Sequence, residues 1–153
     1  MPGGEQVDVL VVGGGPAGSS TAARLASLGH DVLLVEASLG PRSHVDASLP
    51  LSILPLLDVI QARDRVLDAG FQAARQPMIA WPELRDAGAE SELGGLHVER
   101  ARFDEILLEI AAEAGARIER PAHVKEPELR PQGDRSRTGL ADFRFRFPRG
   151  WSV

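Results

Sequence analysis

A chain of 153 residues is expected to hold one domain with a sizeable core and leaves no room for a second, substrate-binding one. Hydrophobic residues at 43% and charged ones at 25% exclude a disordered or fibrous chain, and a net charge of -5 excludes nucleic acid and anionic membrane surfaces as general electrostatic partners. The absence of cysteine rules out disulfides, thiolate metal sites and a cysteinyl cofactor link, and agrees with a cytoplasmic setting.

Residues 1–5 read as a flexible N-terminus. The run Val7-Asp8-Val9-Leu10-Val11-Val12 that follows is β-branched and nearly all apolar, the composition of a strand buried on both faces of a parallel sheet. The run is too short for a signal-peptide core or a membrane span, and the start of the chain is acidic where a signal would be basic, so neither export nor membrane insertion is expected. A glycine cluster then gives way to a helix up to Leu28, with Ala22, Leu25, Ala26 and Leu28 on one stripe and Gly29 as its left-handed stop. Asp31-Val32-Leu33-Leu34-Val35-Glu36 is a second buried strand ending in an acid. Strand, glycine turn, helix and strand make a right-handed βαβ unit with parallel strands.

Leu49 to Ile60 is apolar with prolines at 50 and 55, which predicts a broken helix, and Asp64 to Ala69 adds another helical turn or two. Met78 to Trp81 reads as a short strand and Arg85 to Gly95 as a polar loop. From Ala101 to Ala114, Phe103, Ile106, Leu107, Ile110 and Ala114 recur at helical spacing, and Gly115 ends the helix. Ala116 to Glu119 is a third parallel strand. The rest, 121–153, reads as loop followed by the alternating strand Asp142-Phe143-Arg144-Phe145-Arg146-Phe147, whose arginine face blunts an edge.

Gly13, Gly15 and Gly18 form a G-x-G-x-x-G that follows a strand, opens a helix and is succeeded by a strand ending in Glu36. Gly13 permits the tight turn, Gly15 lets the backbone approach a diphosphate, and Gly18 allows the helix to pack closely on the sheet. The helix N-terminus favours the anion. Glu36 can accept hydrogen bonds from both hydroxyls of an adenosine ribose and repels a 2′-phosphate, which disfavours NADP. These residues alone leave FAD and NAD open.

Gly13-Gly14-Gly15-Pro16-Ala17-Gly18-Ser19 with Leu33-Leu34-Val35-Glu36 resembles the opening of FAD-dependent monooxygenases and flavin-dependent halogenases, and Pro16 and Ala17 sharpen the match. Pro41-Arg42-Ser43-His44-Val45-Asp46-Ala47-Ser48-Leu49-Pro50 is similar to a further segment of that family, as is His97-Val98-Glu99-Arg100-Ala101-Arg102-Phe103-Asp104. The resemblance covers roughly residues 6–120 and implies FAD rather than NAD. It implies cofactor contacts from Gly13, Gly15, Pro16, Ala17, Gly18, Glu36, Arg42 and Arg100. It also implies a small-molecule substrate of aromatic character and electrons from NAD(P)H or a flavin reductase.

The chain departs from that pattern in three places. Asp46-Ala47-Ser48 stands where the family has glycine-glutamate-serine. No lysine precedes Trp81, and Lys125 is the sole lysine, so halogenation is not expected. The family's later glycine-aspartate segment and its substrate-binding sheet are not found. Elsewhere, His30, His44, His97 and His123 show no metal-ligand spacing, and Ser19, Ser20 and Ser48 lack a nucleophile elbow, so neither a metal site nor hydrolysis is expected.

The expected fold is therefore an incomplete α/β, Rossmann-like FAD/NAD(P)-binding domain at 6–120, with helices on the faces of a parallel sheet. The expected function is an FAD-binding oxidoreductase of monooxygenase type, or its FAD-binding portion. The alternative is a non-catalytic dinucleotide-binding module that needs a partner chain.

Overall fold

The computed structural model describes residues 7–40, 46–75 and 93–124. The expected βαβ unit opens it, as β1 (Val9–Val12), α1 (Pro16–Ser27) and β2 (Val32–Val35). The register runs parallel from Val9 beside Val32 to Val12 beside Val35. Gly29 takes a positive φ of 90°, and its N–H closes on the Ala26 carbonyl at 2.9 Å, the left-handed stop that the sequence requires. Leu28, placed on the apolar stripe from sequence, is instead exposed: the chain has already begun to unwind there, and Ser19, Ala22 and Ala23 carry the buried face.

The third parallel strand, β6 (Arg117–Glu119), pairs with β2, so the sheet order is β1-β2-β6 with β2 in the middle. Central position explains why all four residues of β2 are buried. β1, expected to be buried on both faces, has a neighbour on one side only among the described residues, and Val12 is 62% exposed.

A second sheet was not legible beforehand. Its strands are β3 (Asp46–Pro50), β4 (Gln72–Arg75) and β5 (Leu93–Glu99), antiparallel in the order β3-β5-β4. Leu49 and Pro50 are thus strand where the sequence suggested the beginning of a broken helix, and Leu93 to Gly95 is strand where it suggested loop. A 3₁₀ turn at Leu51–Ile53 leads from β3 into α2 (Leu54–Val59), followed by α3 (Arg63–Asp68). The strands expected at Met78 to Trp81 and at Asp142 to Phe147 lie outside the described residues.

α4 (Arg100–Glu113) follows β5 directly and ends at Gly115, whose φ is 105°. Its Phe103, Ile106, Leu107, Leu108, Ile110 and Ala111 are buried. Ala22 and Ala23 of α1, Val32 and Leu34 of β2, Leu57 of α2, Val66 of α3 and Leu96 and Val98 of β5 share that core. Small residues on α1 let it lie close against α4. Leu33 and Val35 point the other way, into a minor cluster with Ala122, Val124, Val7 and Leu10. Among the described residues all four α-helices feed the larger core, whereas helices on both faces of the sheet were expected. Among those residues too, no helix is long and apolar enough to cross a membrane.

Phe103 is 2% exposed and meets Phe71 edge to face at 6.4 Å between ring centroids. Replacing it with alanine removes a large side chain from a packed site and is expected to cost about 3–5 kcal/mol in denaturant unfolding. Leu56→Ala, at a position 67% exposed, is the control and is expected to change stability by less than about 0.5 kcal/mol.

Candidate functional site

The carboxyl ends of β1, β2 and β6 lie side by side, and each delivers one piece of a cleft, as expected of a parallel sheet. From β1 comes the glycine loop. Gly13 continues the ladder by donating its N–H to the Val35 carbonyl at 2.8 Å, then turns with a φ of 104° that only glycine adopts without strain. Gly18 sits so close beneath this turn that a Cβ would overlap the Gly13 carbonyl oxygen. Gly15 differs from both. It is the N-cap of α1 in extended conformation, and a Cβ added there would meet no protein atom within 4 Å. No internal contact therefore demands glycine at 15, whereas a ligand approaching the backbone would.

The mouth of α1 suits an anion. Pro16 is the first helical residue, where its missing N–H costs nothing, and Ala17 and Gly18 complete the opening turn. That turn contains no acidic side chain, and Gly15 supplies no side-chain cap. The dipole and the N–H groups of the opening turn thus face the cleft.

From β2 comes Glu36, buried to 9% exposure. Its Oε2 accepts the Gly14 N–H at 2.6 Å and its Oε1 accepts the Ser38 N–H at 2.8 Å. The Gly14 carbonyl accepts the hydroxyl of the fully buried Ser19 at 3.0 Å. The Gly14 peptide is therefore held from the sheet side by an acid and from the helix side by a hydroxyl. A Cβ at Gly14 would press within 3.1 Å of the Glu36 Cβ. Both oxygens of the acid thus face the backbone around the cleft that Glu36 lines.

From the end of β6 comes Arg120, which donates from Nη1 and Nη2 to the two oxygens of Glu105 at 2.9 and 2.7 Å. Gly14, Gly15, Glu36, Ser38, Gly40, Asp104, Glu105, Leu108 and Arg120 line one cleft. Arg100 stands behind this wall: it donates from Nε and Nη2 to Asp104 at 3.0 and 3.1 Å, and that bond raises its pKa. Arg42 lies outside the described residues. The structure thus brings Gly15 and Glu36 to one cleft, sets Gly13, Pro16, Ala17 and Gly18 around the loop that forms it, and links Arg100 to it through Asp104.

Sequence reading missed Gly14, Ser19, Ser38, Glu105 and Arg120. Gly14 and Ser19 sit inside the recognised motif and had a signal in their position. Ser38 contributes only a backbone N–H, and the Glu105–Arg120 pair joins a helix to a strand end, which no local pattern announces. Of the expected histidines, His97 is exposed on β5 and lies 3.1 Å from the Ser48 hydroxyl.

The family described as FAD dependent oxidoreductase matches residues 8–48. A tryptophan 2-halogenase of Chondromyces crocatus is 41% identical over 113 residues, which cover 72% of this chain and 22% of that protein. The flavin-dependent halogenase rdc2 of Metacordyceps chlamydosporia is 37% identical over 123 residues, covering 80% and 24%. The solved structure of the myxobacterial chondrochloren halogenase CndH superposes with a TM-score of 0.67 at 27% identity, covering 85% of this chain and 31% of that one. The chain spans about a quarter of the length of these two curated relatives. The Rossmann-like fold expected from the sequence and the choice of FAD over NAD both agree with these matches.

The Arg120 guanidinium holds the Glu105 carboxyl below its ordinary 4.5, against the opposing pull of burial. A carboxyl depressed in the folded chain stabilises it above the unfolded value and loses that contribution as pH falls through the folded one. Stability is therefore expected to drop, by no more than about 1 kcal/mol for this partly exposed pair, as pH falls below the ordinary carboxyl value and through the lowered one. In Arg120→Met that part of the acid limb flattens, as measured by urea unfolding across the range; an unchanged limb would refute the coupling.

Proposed function

We propose that this chain, which carries the FAD-binding portion of a family of FAD-dependent oxidoreductases containing flavin-dependent halogenases and hydroxylases, holds the ADP half of FAD in the cleft between α1, the end of β2 and α4. The observation that carries the proposal is Gly15, a glycine at a helix mouth with no internal contact to explain it. The residues fit the group. Backbone N–H groups at Gly15, Ala17 and Gly18 receive the diphosphate, Pro16 sets the helix start, and Glu36, at the end of β2, takes the ribose hydroxyls. Gly13 and Gly18 shape the loop. Arg42 and Arg100 are the further cationic contacts, Arg100 with Asp104 as its anchor.

FAD supplies the redox chemistry; the protein supplies binding, orientation and a surrounding field. The corresponding whole enzyme oxidises a small molecule of aromatic character in the cytoplasm, with electrons from NAD(P)H directly or through a flavin reductase. The relatives are halogenases by name, whereas this chain has one lysine, Lys125, and none before Trp81. Hydroxylation is for that reason the proposed chemistry. The domain that binds the cofactor is 6–120. The second reading is a dinucleotide-binding module that depends on a partner chain for catalysis.

Calorimetry or flavin fluorescence quenching tests the site. Gly15→Val is expected to keep unfolding free energy within about 1 kcal/mol, the cost of a poor N-cap, and to weaken FAD at least about tenfold. Gly18→Ala is expected to lose the fold of the loop, since backbone cannot yield to the added carbon. FAD bound equally by wild type and Gly15→Val would remove the diphosphate from this cleft. Turnover of NAD(P)H with bound FAD supports the oxidoreductase over the partner-dependent module.

A further inference from the structure

Arginine beside the second-strand acid is the residue expected to receive a 2′-phosphate where a nucleotide carries one. Arg120 stands in that place: it lines the cleft with Glu36 and Ser38, and among the described residues it is the sole arginine to do so. Both of its Nη atoms, however, point into Glu105 in a two-bond fork of 2.9 and 2.7 Å. That fork is the geometry a phosphate would need, since a guanidinium recognises a carboxylate and a phosphate through the same pair of donors. Glu105 comes from the first half of α4, whose buried face fixes the helix against the core. The side chain is therefore delivered to Arg120 by a rigid element rather than by a mobile loop.

Resting on the FAD reading of this cleft, we propose that Glu105 is a specificity-determining residue: it occupies the Arg120 fork and so denies a 2′-phosphate its cation, which restricts the site to nucleotides with a free ribose 2′-hydroxyl. Glu36 contributes repulsion and Glu105 removes the compensating attraction. The two acids act on opposite sides of one discrimination, and neither does the other's work.

Calorimetry with ADP and with adenosine 2′,5′-bisphosphate separates the possibilities. The wild-type chain is expected to prefer ADP. In Glu105→Gln, whose amide leaves Arg120 without its carboxylate, the preference is expected to narrow by about tenfold or more, the worth of a charge-assisted contact. In Glu105→Gln combined with Arg120→Met it is expected to return toward the wild-type value. A merely structural Glu105 would weaken both nucleotides in parallel and leave their ratio unchanged, and that result overturns the proposal. If the folded wild type takes neither ADP nor FAD, the cleft reading itself fails; if ADP binds and the ratio does not move, only the role of Glu105 is lost. Circular dichroism of each variant establishes that the fold persists, and Glu105→Asp, which keeps the charge on a shorter arm, provides an independent variant for the same ratio.

Discussion

The contact on which the site depends is the one between the Glu36 carboxylate and the Gly14 amide, 2.6 Å long and buried. A buried hydrogen bond to a charged acceptor contributes about 1.5–3 kcal/mol, and leaving a buried carboxylate without its donor costs at least as much. This bond ties the end of β2 to the loop after β1, and it does so only because residue 14 has no side chain to hold the acid away. The Ser19 hydroxyl then fixes the other side of the same peptide. The position of the α1 mouth is thereby set by Glu36, Gly14 and Ser19 acting on one peptide.

The rest of the cleft is arranged around that tie. β2 is the middle strand, so the acid at its end neighbours both the glycine loop and the end of β6. The Glu36 N–H donates to the Glu119 carbonyl at 2.9 Å, and the Glu36 carbonyl accepts from Ala122 at 2.8 Å. Backbone bonds on either side of Glu36 therefore place Arg120 next to it without reference to any side chain. α4 closes the cleft with Asp104 and Glu105, and its own position is fixed by the apolar face that packs on α1.

How much of this could be read from the chain follows from the range of the forces involved. The βαβ unit, Gly29, Gly115 and the apolar spacing of α4 are local patterns, and the structure has them within a few residues of where they were expected. β3 and β5 were hidden because their pairing is long-range. Asp46 to Pro50 carries an acid and a proline, and Gly94-Gly95 looks like a turn. Yet Gly95 is required where β5 passes β3, since a Cβ there would overlap the Leu49 carbonyl oxygen. Glu36 was legible as an acid at a strand end, but its use of both oxygens for backbone amides was not. That duty arises from a tertiary approach that no spacing encodes. The Glu105–Arg120 fork escaped for the same reason.

Three carboxylates around a site proposed for a diphosphate would ordinarily be a liability, since like charges in a sheltered cleft repel. The arrangement avoids this by giving each acid a committed donor. Asp104 is taken by Arg100, Glu105 by Arg120 and Glu36 by the amides of Gly14 and Ser38. The first turn of α1 has no acid at all, so the dipole there is unopposed within its own helix. Negative charge is thus concentrated at the end of β2 and on α4, each acid with its own donor, while the first turn of α1 carries none. A dinucleotide held as proposed is oriented by that polarity. In that reading the glycine loop and the acid at the strand end impose the orientation together, because the sheet brings them within hydrogen-bond reach of each other.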